Sequence, residues 1–250
     1  MAAVEARVEA VVEAVLDAGL RASLEGGASE GAVRCCTAAR EAGLLTHAAG
    51  GYMVKVRPDY YALSLPERLA CVGGESTEQL CKCLILENTR RKPLSGDEAA
   101  EAAAEAEANA GDEVTAGPPE NPRFVCVVFQ YRRKLDANKV ADVVRSWGEE
   151  RAPGKRSYNM RLAKRDANDR LSGYAHNGVV PLGMRCRDMH VLVSHHCLNL
   201  PGGAFFMGGG DVDVKLKSNV QRFVQATHAQ VADITADTLM TDLLAAEGAD

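Results

Sequence analysis

The chain has 250 residues, 46% of them hydrophobic and 25% charged, and carries a formal net charge of −5. That balance belongs to a soluble globular protein that can bury one substantial core, with two domains allowed but not required. No apolar run approaches the roughly 20 residues that span a bilayer, and the opening MAAVEARVEAVVEAV, dotted with glutamates, has no apolar h-region, so a cytoplasmic protein without a secretory or transit segment is expected.

Taken in chain order, Val4, Val8, Val11, Val12 and Val15 recur at helical spacing and predict an amphipathic helix over 2–20. A second helix is expected over 29–42, opened by Ser29 and stopped by Gly43. GYMVKV (51–56) reads as a short strand. Ser76 with Gln79 makes a capping box for a short helix, and KCLILEN (82–88) is strand-like. The alanine- and glutamate-rich segment from about 92 to 122 holds almost no branched apolar residue and ends in GPPENP, which predicts a mobile surface insertion. RFVCVVFQY (123–131) follows as a buried strand, and Asp136 caps a helix that runs to Trp147. Another short helix is expected over 164–171. HVLVS (190–194), AFFMG (204–208) and VDVKL (212–216) read as strands. Ser218 is then expected to cap a helix, and VADIT (231–235) closes the core before a C-terminal helix.

The eight cysteines form no CxxC pair. Cys35 and Cys36 are adjacent, Cys81 and Cys83 flank a lysine, and Cys126 stands among valines, so buried reduced thiols are expected. Cys36, His47 and the His195–His196 pair lack the spacing of a metal site, and no metal or other cofactor is expected. The net charge hides a division. Residues 94–122 hold eight acids and no Lys or Arg, whereas residues 123–187 hold fifteen Lys and Arg against six Asp and Glu. Such a basic section suits a polyanionic partner, and equally an ordinary solvated surface.

GxSxG, Walker A and HExxH signatures are missing. Three features stand out instead. In CKCLIL, alternation sets Cys81, Cys83 and Ile85 on one face and Lys82, Leu84 and Leu86 on the other. Lys82 on so apolar a strand either snorkels out or stands as a cation at a pocket mouth, where it would hold a phosphate or carbonyl oxygen. GGGD, with Gly208, Gly209, Gly210 and Asp211, makes either a hairpin turn or a set of bare amides able to bind an ester or ribose oxygen. SGYAHNGVVPLG (172–183) joins a helix-ending Gly173 to an Asn177–Gly178 pair suited to a tight turn with positive φ, followed by Pro181 and Gly183. Its His176 is a base or, more simply, a capping or surface residue.

Together LCKCLILEN (80–88), GYAHNGVVPLG (173–183) and FFMGGGDVDVKL…VADIT (205–235), with FVCVVFQYRRKLDANKVADVV (124–144) between them, resemble the YbaK/ProX family of aminoacyl-tRNA editing domains in order and spacing. The resemblance runs from about 52 to 236. It implies a mixed α/β fold, a partly open, barrel-like mixed sheet surrounded by helices. Residues 1–50 become an N-terminal helical extension, 51–236 the editing-type domain with an acidic insertion at 90–122, and 237–250 a C-terminal helix or tail. It further implies a trans-acting deacylase of mischarged tRNA, of the tRNA(Pro) type, working by substrate-assisted hydrolysis in a glycine-lined pocket. Lys82 and Gly178 would carry the chemistry, and His176, Asn177, Pro181, Gly183, Gly208, Gly209, Gly210 and Asp211 would line the site. The partners implied are the aminoacylated end of tRNA and an aminoacyl-tRNA synthetase. The alternatives are a non-catalytic adaptor of the same fold that binds tRNA or a synthetase, and a deacylase of another small acyl ester. Asn177 and Val180 depart from the family's glycine and small polar residue, which alters the pocket lining.

Overall fold

The computed structural model describes residues 28–94 and 114–239. The helix expected over 2–20, most of the acidic insertion and the last eleven residues lie outside the described residues. Helix α1 (Glu30–Glu41) begins where the sequence predicts, with the Ser29 hydroxyl accepting the Ala32 amide. Strand β1 (Tyr52–Lys55) and helix α2 (Leu65–Val72) follow. The capping box at Ser76 and Gln79 opens only a single 3₁₀ turn before strand β2 (Cys81–Asn88) begins. Strands β3 (Phe124–Gln130) and β4 (Arg133–Leu135) lead into helix α3 (Ala137–Trp147), capped by Asp136 as expected. Strand β5 (Met160–Leu162), helix α4 (Arg165–Ser172) and strand β6 (His190–Ser194) come next. The chain then makes β7 (Ala204–Gly208), β8 (Val214–Asn219), helix α5 (Val220–Ala226), β9 (Gln230–Ala232) and β10 (Thr235–Leu239).

The main sheet has five strands in the order β5-β2-β3-β6-β9, antiparallel on the β5 side and parallel from β3 to β9. A second, antiparallel sheet has the order β1-β8-β7, and β10 pairs with β4. A parallel bridge between Leu80 and Phe206 stitches the two larger sheets at one corner. The fold is thus mixed α/β, and its sheets do not close into a barrel. Strand β3 is buried on both faces. Val125, Val127 and Phe129 pack with Val140, Ala141 and Val144 of α3, while Phe124, Cys126 and Val128 join the opposite core. Each such valine contributes roughly 1.5–3 kcal/mol of burial, which explains why seven successive residues carry no charge.

Helix α1, within the expected N-terminal extension, packs into the main core, where Cys35 and Ala39 join β2 and β3. Four expectations need correction. The ends of the acidic insertion pack: Leu94 and Ala116 are buried, and Asn121 and Arg91 tie its two stems together. Strand β8 starts two residues later than predicted because 209–213 form the turn, and Asn219 rather than Ser218 caps α5. Residues 235–239 form a strand where a helix or tail was expected from 237. The Lys139 ammonium of α3 fastens it by donating to the Thr235 carbonyl and to the Asp233 and Asp237 carboxylates.

Candidate active site

The two glycine loops meet backbone to backbone. The Gly210 amide donates to the Gly178 carbonyl at 3.0 Å, and a Cβ on Gly178 would stand 3.0 Å from the backbone of Asp211. A Cβ on Gly208 would lie 2.8 Å from the Val179 carbonyl oxygen. Glycine is needed at these positions for close approach. Helix α1 braces the loop from behind. The Arg34 guanidinium donates to the carbonyls of both Gly173 and Gly183, and stacks 4.5 Å above the Tyr174 ring. Gly183, with φ +65°, and buried Pro181 therefore shape the base of the loop.

In front of the loops lies a cleft of about 500 Å³ whose lining includes Lys82, Tyr61, Tyr131, Asn177, Asp169 and Gly208. One wall is an open sheet edge. The Leu80 carbonyl accepts the Tyr131 amide, so the even-numbered residues of β2 bond toward β3 and Cys81, Cys83 and Ile85 turn their backbone groups the other way. Strand β5 covers that outer edge only from Leu86 to Asn88, with the Ile85 carbonyl taking the Ala163 amide at 2.9 Å. The Leu80–Phe206 bridge takes up the other end of that edge, and the stretch around Cys83 between the two borders the cleft.

Lys82 is half-buried, with its Nζ 4.9 Å from the Phe129 ring centroid and 5.5 Å from that of Tyr131. No carboxylate lies within ion-pair distance of it among the described residues. Burial lowers its pKa below the ordinary lysine value. A cation held against aromatic faces and left without a counter-ion is suited to an anionic or oxyanionic group entering the cleft. Cys81 and Cys83 also border the cleft, but burial raises both thiols far above their usual range. As thiols rather than thiolates they form wall, not nucleophile.

Of the residues singled out by sequence, the cleft brings together Lys82, His176, Asn177 and Gly208. His176 is exposed at the rim. Gly178 sits one layer behind. Gly209 donates to Val214 and Gly210 to Gly178, so those amides are spent inside the fold rather than left bare for a ligand. The Asp211 carboxylate accepts the Val212 amide and ends the hairpin. No group of three or more His, Cys, Asp or Glu side chains converges among the described residues.

Sequence reasoning passed over several lining residues. Tyr61 and Tyr131, hydrogen-bonded to each other through their side chains, line the cleft, and Arg165, Asn168 and Asp169 reach it from α4. Behind Tyr61 lies Lys215, only 3% exposed. Its signal in VDVKL is the one that exposed Lys82, a lone lysine inside an apolar strand pattern. Where β5 gives way to α4, Leu162, 65% exposed, and Arg165 line the cleft, and Arg161 and Lys164 are their exposed neighbours in sequence.

No family model matches the chain, and neither does any curated protein sequence. Solved structures do resemble it. A protein provisionally described as a trans-editing enzyme for prolyl tRNA synthetase superposes with a TM-score of 0.57 at 17% identity, covering 84% of this chain and 99% of its own. A scaffold protein used for computational epitope grafting gives 0.56 at 18% identity, over 84% and 100%. A hypothetical protein gives 0.53 at 19% identity, over 81% and 99%. At these identities the likeness establishes a shared fold. Among the described residues no helix is long and apolar enough to cross a membrane.

Proposed function

We propose that the protein is a trans-acting aminoacyl-tRNA deacylase, with the aminoacylated 3′ end of a tRNA of the tRNA(Pro) type as substrate and the cytoplasm as its place of action. The observation that carries this reading is the half-buried Lys82 ammonium, which lines the cleft together with Asn177 and has no carboxylate partner among the described residues. The shared fold with a protein described as a trans-editing enzyme supports the same chemistry.

In this reading the Lys82 ammonium stabilises the oxyanion that forms when water adds to the ester carbonyl. The bond from the acyl carbon to the ribose oxygen then breaks, and the proton from water ends on the released ribose hydroxyl. The lining thiols stay protonated, the lining His176 is exposed and the Asp169 carboxylate pairs with Arg165 at 3.7 Å, so orientation is the cleft's main contribution, and a hydroxyl of the substrate itself relays the proton. Arg161, Lys164 and Arg165 would meet tRNA phosphates at the rim. Incubation with Ala-, Ser- and Cys-tRNA(Pro) tests the proposal. Ester loss above the buffer rate is expected for at least one, and no loss for any of them would sink it.

A further inference from the structure

Lys215 projects from β8 into a buried space formed by the 3₁₀ turn Tyr60–Ala62, helix α2 and the β7–β8 turn. Its Nζ donates to the Tyr61 hydroxyl at 3.0 Å and to the Val212 carbonyl at 2.8 Å, and lies over both the Tyr60 and Tyr61 rings, 5.0 and 4.6 Å from their centroids. With its oxygen taken by Lys215, the Tyr61 hydroxyl donates its own proton to the Asn177 carbonyl at 2.9 Å. A continuous chain of donors thus runs from a buried amine, through a ring that lines the cleft, to a turn whose Asn177 lines it too.

Asn177 holds φ +68°, a left-handed conformation that costs a non-glycine residue energy and persists only where its surroundings fix it. The Tyr61 hydroxyl supplies one fixing contact. We propose that Lys215 is a positioning residue of the cleft: acting through Tyr61 it holds the Asn177 turn in place, most firmly while its amine is protonated. This rests on the proposed function only for its effect on turnover.

The groups around the amine set its response to pH. Asp211 and Asp213 from the hairpin turn favour the charged form, although Asp213 also pairs with Lys55 of β1 at 3.5 Å. Arg68 of α2 opposes it, and Tyr60, Tyr61 and Tyr131 are neutral phenols whose pKa values burial raises. Burial outweighs the two carboxylates and lowers Lys215 to about 8. The charge-assisted bond to Tyr61 therefore weakens as pH rises through that value.

Two measurements test the inference together. In the substrate-free protein, ¹³C-ε signals of the lysines are followed from pH 6 to 11, with the backbone amides of Asn177 and Gly178 monitored alongside. A lysine titrating at about pH 8, absent in Lys215→Met and accompanied by shifts at 177 and 178 that Tyr61→Phe abolishes, is the expected result. Amides at 177 and 178 that ignore this titration overturn the inference. In the second, the pH–rate profile of deacylation should fall in wild type above about pH 8. Lys215→Met should lose about tenfold in kcat at pH 7, and the start of its alkaline fall should move above pH 8, to where Lys82 loses its proton. Thermal unfolding checks that this variant, which replaces a buried amine by an apolar chain of similar length, remains folded, and an unchanged profile in a folded Lys215→Met contradicts the proposal. Failure of wild type to hydrolyse any ester counts against the functional reading alone, because the amide titration needs no substrate.

Discussion

The Gly178 carbonyl accepts the Gly210 amide at 3.0 Å, so two loops 32 positions apart in sequence share one backbone hydrogen bond at the back of the cleft. No side chain fits between them. In Gly178→Ala the new Cβ would meet the Asp211 amide and Cα and the Gly210 carbonyl carbon, all at 3.0 Å and all backbone. The hairpin would have to move away. A loss of about 1–3 kcal/mol is expected, read from urea unfolding, and a variant as stable as wild type would show that the loops are not locked together.

This junction also marks where sequence reading succeeded and where it stopped. Strands β2 and β3 were legible because apolar runs bounded by turn residues have few other uses, and Asp136 announced α3 by its place before a periodic valine stripe. The two glycine loops were recognisable as special. Their role was not, since the bare amides expected of Gly209 and Gly210 turn out to be spent on Val214 and Gly178, a pairing that depends on register between distant segments. Nothing local in helix α1 reveals that Arg34 reaches the carbonyls of Gly173 and Gly183, about 140 residues away in sequence. The strand over 235–239, where a helix or tail is expected from 237, is hidden for the same reason. It exists through pairing with Arg133 and Leu135 and through Lys139, all far from it in sequence.

Asn177 bears on both stability and specificity. Its backbone is left-handed while its side chain borders the cleft. Asn177→Ala should cost about 1 kcal/mol because alanine tolerates this conformation less well. Asn177→Gly should fold as stably as wild type to within roughly 0.5 kcal/mol, since glycine adopts positive φ freely and the bond from Tyr61 goes to the main chain. By emptying part of the wall, Asn177→Gly should also change the ratio of kcat/KM between Ala- and Ser-tRNA. An unchanged ratio would remove Asn177 from the specificity surface.

The basic rim should act through phosphates rather than through chemistry. Arg161, Lys164 and Arg165 are exposed, and only Arg165 has a nearby acid, Asp169 at 3.7 Å, among the described residues. Replacing all three by alanine should weaken tRNA binding and lower the slope of log K against log salt by roughly 2, if each contributes one contact to single-stranded backbone. Turnover of bound substrate should change little. An unchanged slope would mean that tRNA approaches from another side.

The central claim is that Lys82 carries the chemistry, and it is tested most directly by single-turnover hydrolysis of a panel of aminoacyl-tRNAs by wild type and by Lys82→Ala. Wild type should clear at least one aminoacyl ester faster than buffer, and Lys82→Ala should lose about 10²–10³ of that rate while still binding the tRNA, the scale on which removing one oxyanion-stabilising group acts. Equal rates in the two proteins would contradict the assignment.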